Sequence, residues 1–387
     1  MKNVLFKHKN LIISTFLVYL FICPTPIIET GIMRLVPTMA LLLFMILGMM
    51  SLSLSNYSRM GILVKCFAVF IVLNALFTES AYGHTYITII RSTFWVWIYF
   101  LSFVLFVRSC PSTNNYDKWT TIVSVVSMML FYFSHQFRLT EIGEENGDNV
   151  IFYCLMLLPW ISMMKSIKYK WAIIVLLILC TLLSLKRSSI IILGTSVAVI
   201  YFSDFIYRKR IRASNIVIGT MIVVCIIGVL NMASNKTEIV TRRFESIESD
   251  GGNGRDAIFE DVVLRYSSGS IEQKILGRGF DGVRRDSSFF IPVSAHNDFL
   301  EVLYDFGAIG FVCYLLIHLS LITWTIRLFR RRSPISFPVL VSYVCFIVMS
   351  MVSHLILYPT YFGLLVSFWA YAECRDRQIS YCINHQV

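Results

Sequence analysis

Lys186 and Arg187 stand side by side in LLSLKRSSIII, between two apolar runs with almost no polar linker around them. Charges this close to hydrocarbon are costly, so they persist mainly where they pair or bind, and an anionic ligand is the natural partner. Snorkelling of both side chains to the interface is the plainer use. Gly254-Arg255-Asp256 opens AIFEDVVLRY, where Ile258 and Val262, and Phe259 and Val263, recur at helical spacing, so Arg255 falls near a helix start. An arginine fork grips phosphate through two parallel hydrogen bonds, which suits a diphosphate; pairing with Asp256 or Glu260 is the alternative. Gly277-Arg278-Gly279-Phe280 reads as a tight turn whose glycines permit left-handed backbone or close approach. His296-Asn297 precedes an apolar helix that Ser294 is placed to cap. A near-neutral imidazole there can take a proton from a sugar hydroxyl. Asp298, Glu301 and Asp305 follow at spacings of three and four, forming one polar stripe that could line a wet cleft or hold a sugar.

These residues need elements to position them, and the composition says which. The chain of 387 residues is 57% hydrophobic and 15% charged, with a mean hydropathy of +0.70. Since a bilayer core is crossed by about 20 apolar residues, apolar runs cut by short polar breaks mean many spans. The expected fold is an all-α integral membrane protein of about 12 transmembrane helices. They fall at roughly 9–28, 32–52, 61–78, 86–107, 118–137, 149–164, 170–186, 188–206, 214–232, 297–324, 336–356 and 358–373. The basic, apolar N-terminus lacks a small-x-small cleavage site and reads as an uncleaved first helix.

With the N-terminus inside, twenty of the 34 basic residues fall on inner segments, and only Arg34, Arg91, Arg138, Lys186 and Arg187 on short outer connections. The net charge of +11 is thereby a topological signal, and a nucleic-acid partner loses its support. The organisation expected is helices 1–9 over residues 1–232, one large outer loop over 233–296, and helices 10–12 with a cytoplasmic tail over 297–387. That loop carries nine basic and ten acidic residues and is long enough to be functional. The cysteines lie mostly in apolar segments and read as packing residues. No zinc spacing, P-loop, DxD or GxSxG pattern occurs, so no metal or cofactor is expected.

The arrangement resembles the O-antigen ligase and polymerase superfamily: many spans, a basic stretch at Lys186-Arg187-Ser188-Ser189, and an outer loop. That loop opens on Gly254-Arg255, passes Gly277-Arg278-Gly279 and closes on HNDFLEVLYDFGAIG. His296, Asn297, Phe299, Leu300 and Gly307 occupy the places of the family's closing block, and the resemblance covers roughly residues 180–320. Lys186 stands where the family commonly has serine. The resemblance implies glycosyl transfer from a glycan on undecaprenyl diphosphate, at the outer face of a bacterial inner membrane with both termini cytoplasmic. Arg187 and Arg255 would hold the diphosphate, and His296 would orient or deprotonate the acceptor hydroxyl. Lys186, Arg278, Asn297, Glu301 and Arg91 complete the expected substrate-binding set. The partners implied are the lipid-linked donor and acceptor, the bilayer and a chain-length regulator. The compact loop and its closing block favour polymerase over ligase; a flippase or other carrier is the competing class, and it lacks the repeat that carriers usually show.

Overall fold

Backbone buried in lipid must satisfy its own hydrogen bonds, and long apolar runs do so as helices. The computed structural model describes residues 46–47, 59–82, 86–108, 113–137, 149–184, 186–208, 255–290, 292–356 and 358–384, and among them helix is the only regular element. The expected spans at 9–28 and 214–232, most of that at 32–52, and the first part of the long loop with Gly254, lie outside the described residues.

The helices are α1 (Arg59–Tyr82), α2 (Tyr86–Arg108), α3 (Thr113–Phe137), α4 (Ile151–Leu155), α5 (Leu158–Ser162), α6 (Ile167–Leu183) and α7 (Arg187–Arg208). Three short helices follow, α8 (Arg255–Ser267), α9 (Ile271–Leu276) and α10 (Gly282–Arg285), then α11 (Asp298–Arg330), α12 (Ser336–Val352) and α13 (Pro359–Asn384). By length and composition α11 is the one described helix long and apolar enough to cross a membrane, and five shorter apolar helices accompany it.

The segment expected as one span at 149–164 is two short helices. Pro159 at the start of α5 has no N–H to return to Leu155, so the ladder is broken between them. Together they rise roughly 18 Å, short of a hydrocarbon core about 30 Å thick. The pair packs beside α12, α3 and α13.

α2 packs along α13, α7 along α12, and α11 against both α1 and α12. Their shared core is aromatic: Trp95 lies on Phe362 with ring centroids 5.0 Å apart, Phe346 meets Trp369 edge-on at 5.1 Å, and Phe67 abuts Phe306 and Tyr314. Cys154, Cys180, Cys345 and Cys374 are buried, as packing residues would be, whereas Cys313 is half-buried and Cys66 exposed. The outward faces are apolar too, with Val69, Phe133, Phe202 and Leu319 each more than half exposed. Water would penalise such faces and lipid does not, so the architecture is that of a membrane protein.

Candidate functional site

The site is built on a break in α11. Gly307 adopts φ 63°, ψ −168°, interrupting the helix one-third of the way along, and the carbonyls of Tyr304 and Asp305 lose their usual donors. The turn after α9 replaces them: the Arg278 N–H donates to the Tyr304 carbonyl at 3.1 Å and the Gly279 N–H to the Asp305 carbonyl at 2.8 Å. This needs backbone against backbone. A Cβ on Gly277 would stand 2.3 Å from the Asp305 carbonyl oxygen, and one on Gly307 2.4 Å from the Ile275 oxygen. Asn74, buried in α1, donates its side-chain amide to the Leu276 carbonyl and so fastens the same turn to a second apolar helix.

The acidic stripe at the start of α11 is buried, and each carboxylate holds a different segment. Asp305 accepts from the N–H groups of Asp281 (2.7 Å) and Val283 (3.1 Å), fixing α10. Glu301 accepts from the Ala295 N–H at 2.8 Å, immediately before His296. Asp298 accepts from Leu355 and Ile356 in the α12–α13 connection and from the Tyr314 hydroxyl. Spacing of three and four put these carboxylates on one stripe, as expected, but they are used as clamps rather than as the lining of a wet cleft. The second Glu301 oxygen is buried with no hydrogen-bond partner among the described residues.

The cap of α11 is Asn297, not Ser294. His296 takes a left-handed backbone (φ 52°) and Asn297 an extended one, so the helix begins at Asp298 and Ser294 lies too far back. Asn297 Oδ1 accepts from the N–H groups of Phe299 (2.9 Å) and Leu300 (3.2 Å), and its amide reaches the Met351 carbonyl at 3.4 Å.

Around His296 the structure gathers residues distant in sequence. Burial first, then the charges of Arg255 and Lys186, push the His296 imidazole down from the ordinary 6.5 to about 4. Burial again, then His296, Lys186 and Arg255, push His354 to about 3. Lys186 immediately precedes α7, Arg255 opens α8 as expected, and His296 lies just ahead of α11, so cations at the starts of two helices act on the histidine before a third. A cluster of this kind favours an anion. Two fixed cations supply charge while the imidazoles stay neutral and able to accept a proton.

The other expected residues fall elsewhere. Arg278 lies over the Tyr304 ring at 5.1 Å, pairs with Asp286 at 3.5 Å and donates to the Arg265 carbonyl. Arg265 covers the same ring at 4.9 Å, pairs with Asp261 at 2.6 Å and donates to the Tyr304 hydroxyl, which itself donates to Asp286. Burial works to raise the Asp261 and Asp286 carboxyls, but the Ser288 and Arg265 contacts of the first and the Arg285, Tyr304 and Arg278 contacts of the second leave both below the ordinary value. Arg278 thus belongs to the frame of the loop. The backbones of Arg187 and Arg91 open α7 and run within α2, while their side chains lie outside the described residues. His354 was missed by the sequence reading; its signal was an ionisable residue at the end of an apolar run, ahead of Tyr358-Pro359.

Residues 172–315 match the family described as O-antigen ligase, from within α6 to the middle of α11. This is nearly the stretch on which the resemblance was drawn, and it bears that resemblance out. No curated protein matches the chain.

Proposed function

From the premise that residues 172–315 carry the pattern of the O-antigen ligase family, we propose that the chain transfers a glycan from a lipid-linked diphosphate, and that it acts as a polymerase of oligosaccharide repeats. The family implies glycosyl transfer in the broad sense. The observation that carries the finer reading is the convergence of Lys186 and Arg255 on His296 and His354. An acceptor hydroxyl attacks the anomeric carbon of the donor; the new C–O bond forms as the bond to the lipid diphosphate breaks. The hydroxyl proton passes to His296, and the electron pair leaves with the diphosphate. Lys186 and Arg255, with Arg187 next to Lys186 in sequence, stabilise the charge that builds on that leaving group. The donor is then an undecaprenyl-diphosphate glycan at the outer face of an inner membrane, with residues 233–296 on that face and a chain-length regulator as partner.

The family's own description favours a second reading, ligation of finished polymer to lipid A-core. One experiment separates the two: a gel of surface lipopolysaccharide from a strain lacking the gene, complemented by wild type or by His296→Ala. Core bearing a single repeat, restored to a ladder by wild type alone, is the polymerase result. Bare core with long lipid-linked polymer accumulating selects the ligase, and bare core without it selects a flippase. An unchanged ladder would remove the gene from this glycan's assembly.

The pH profile tests His296 as the base. Its folded value lies below the ordinary one, so the ring stays neutral as pH falls. Among the described residues the charged and titratable groups acting on it are Arg255, Lys186 and His354, none of which favours protonation. Turnover is expected to hold from about pH 8 to about 5.5 and to fall only on approach to about pH 4, as for a base essential in its neutral form. A protonation limb centred near 6.5 would contradict this site for the base.

A further inference from the structure

Between α12 and α13 lie Ser353–Ile356 and Tyr358, a connection that the proton and bond transfers above do not employ. It is nevertheless firmly held. Asp298 takes the Leu355 and Ile356 N–H groups, and the Tyr361 hydroxyl donates to the His354 carbonyl at 2.8 Å. The His354 ring, 7% exposed, lies 4.7 Å from the His296 ring with planes 24° apart. On Tyr358 it stacks at 5.2 Å and 22°, and Tyr358 stacks on Tyr361 at 5.4 Å and 14°. Four rings therefore form a column rooted in α13, with His296 at its far end. His296 sits on left-handed backbone in a loop, and among the described residues His354 is the ring it stacks on.

We propose that His354 is a positioning residue for His296: its ring is the fixed surface against which the His296 imidazole is laid, so that the ring edge meets the acceptor hydroxyl. The inference rests on the transfer reading given above. Stacking asks for a flat ring rather than for a ring nitrogen, and the Nδ1 of His354 is buried without a hydrogen-bond partner among the described residues, as it would be if the face is what matters. Loss of the column leaves His296 present but misaimed, and misaim is paid in turnover more than in donor binding.

The test uses the full-length protein in phospholipid vesicles, with the undecaprenyl-diphosphate glycan fraction extracted from a strain lacking it as probe. His354→Ala is expected to lower kcat by about 10- to 100-fold with KM within about threefold, and His354→Phe to recover kcat to within about threefold of wild type. Should His354→Ala not accumulate, His354→Gln, which keeps a nitrogen but no ring, takes its place with the same expectation. Unchanged kcat in the ring-less variant overturns the proposal, and so does a Phe variant as slow as Ala at equal membrane levels, which would hand the role to a ring nitrogen. If wild type converts none of the probe, the transfer reading itself falls and takes the role of His354 with it.

Discussion

Arg255→Ala is expected to cut glycan transfer by about 10²- to 10³-fold, the usual consequence of removing one donor aimed at developing charge in a sheltered site. The guanidinium opens α8, where the dipole of a 13-residue helix adds to its charge, and its field reaches both His296 and His354. Arg255→Lys separates charge from geometry. An ammonium retains the field but not the two-pronged grip on phosphate, so an intermediate loss is expected, larger in kcat than in the amount of inserted protein. A second readout follows from the same contact. Arg255 is one cause that holds His296 low, behind burial. Removing it should shift the acid limb of the residual activity upward in pH. Activity within about twofold of wild type, with the limb unmoved, would sever Arg255 from the leaving group and from His296 together.

Much of this site could be read before folding, and the parts that could not share a cause. Periodicity in AIFEDVVLRY gave α8 and the place of Arg255 at its start. The expected violation of the inside rule at Lys186-Arg187 drew attention to those cations, and the position of His296 before an apolar run drew attention to that imidazole. Those are local signals, carried by a residue and its near neighbours. The spacing of Asp298, Glu301 and Asp305 showed a shared stripe, but not that each carboxylate reaches a separate segment, because their partners at Leu355, Ala295 and Asp281 are set by the tertiary path. His354 became visible only when Asp298 had drawn its connection up beside His296. The cap was misassigned to Ser294 for a related reason. Nothing in the side chain of a histidine announces φ 52°, and that single left-handed residue moves the helix start to Asp298. The break between α4 and α5 was legible in Pro159, and hydropathy alone passed over it.

Gly307→Ala is expected to carry a large structural penalty. Both Gly307 (φ 63°, ψ −168°) and Gly277 (φ 86°, ψ −173°) lie in a backbone region that is essentially reserved for glycine. The added methyl would also meet the Ile275 carbonyl, and the methyl of Gly277→Ala would meet that of Asp305, with no flexible side-chain end to give way. Strain and overlap together should cost more than about 3 kcal/mol in either variant. Helix and loop must part to relieve it. The N–H groups of Arg278 and Gly279 then leave the carbonyls of Tyr304 and Asp305, and the Asp305 clamp on α10 goes with them. The measurement is thermal unfolding in detergent alongside limited proteolysis of residues 255–296, with Gly194→Ala as control. Gly194 lies in α7 with open space where its Cβ would go, so there alanine should be neutral or stabilising by up to about 1 kcal/mol. A Gly307→Ala protein that melts with wild type and resists protease would mean that the loop is held without the joint. The expected result, early cleavage between α8 and α11 with transfer lost, would instead make the paired glycines the joint that keeps Arg255 within electrostatic reach of His296. The loop motif and the closing block would then be two halves of a single backbone contact.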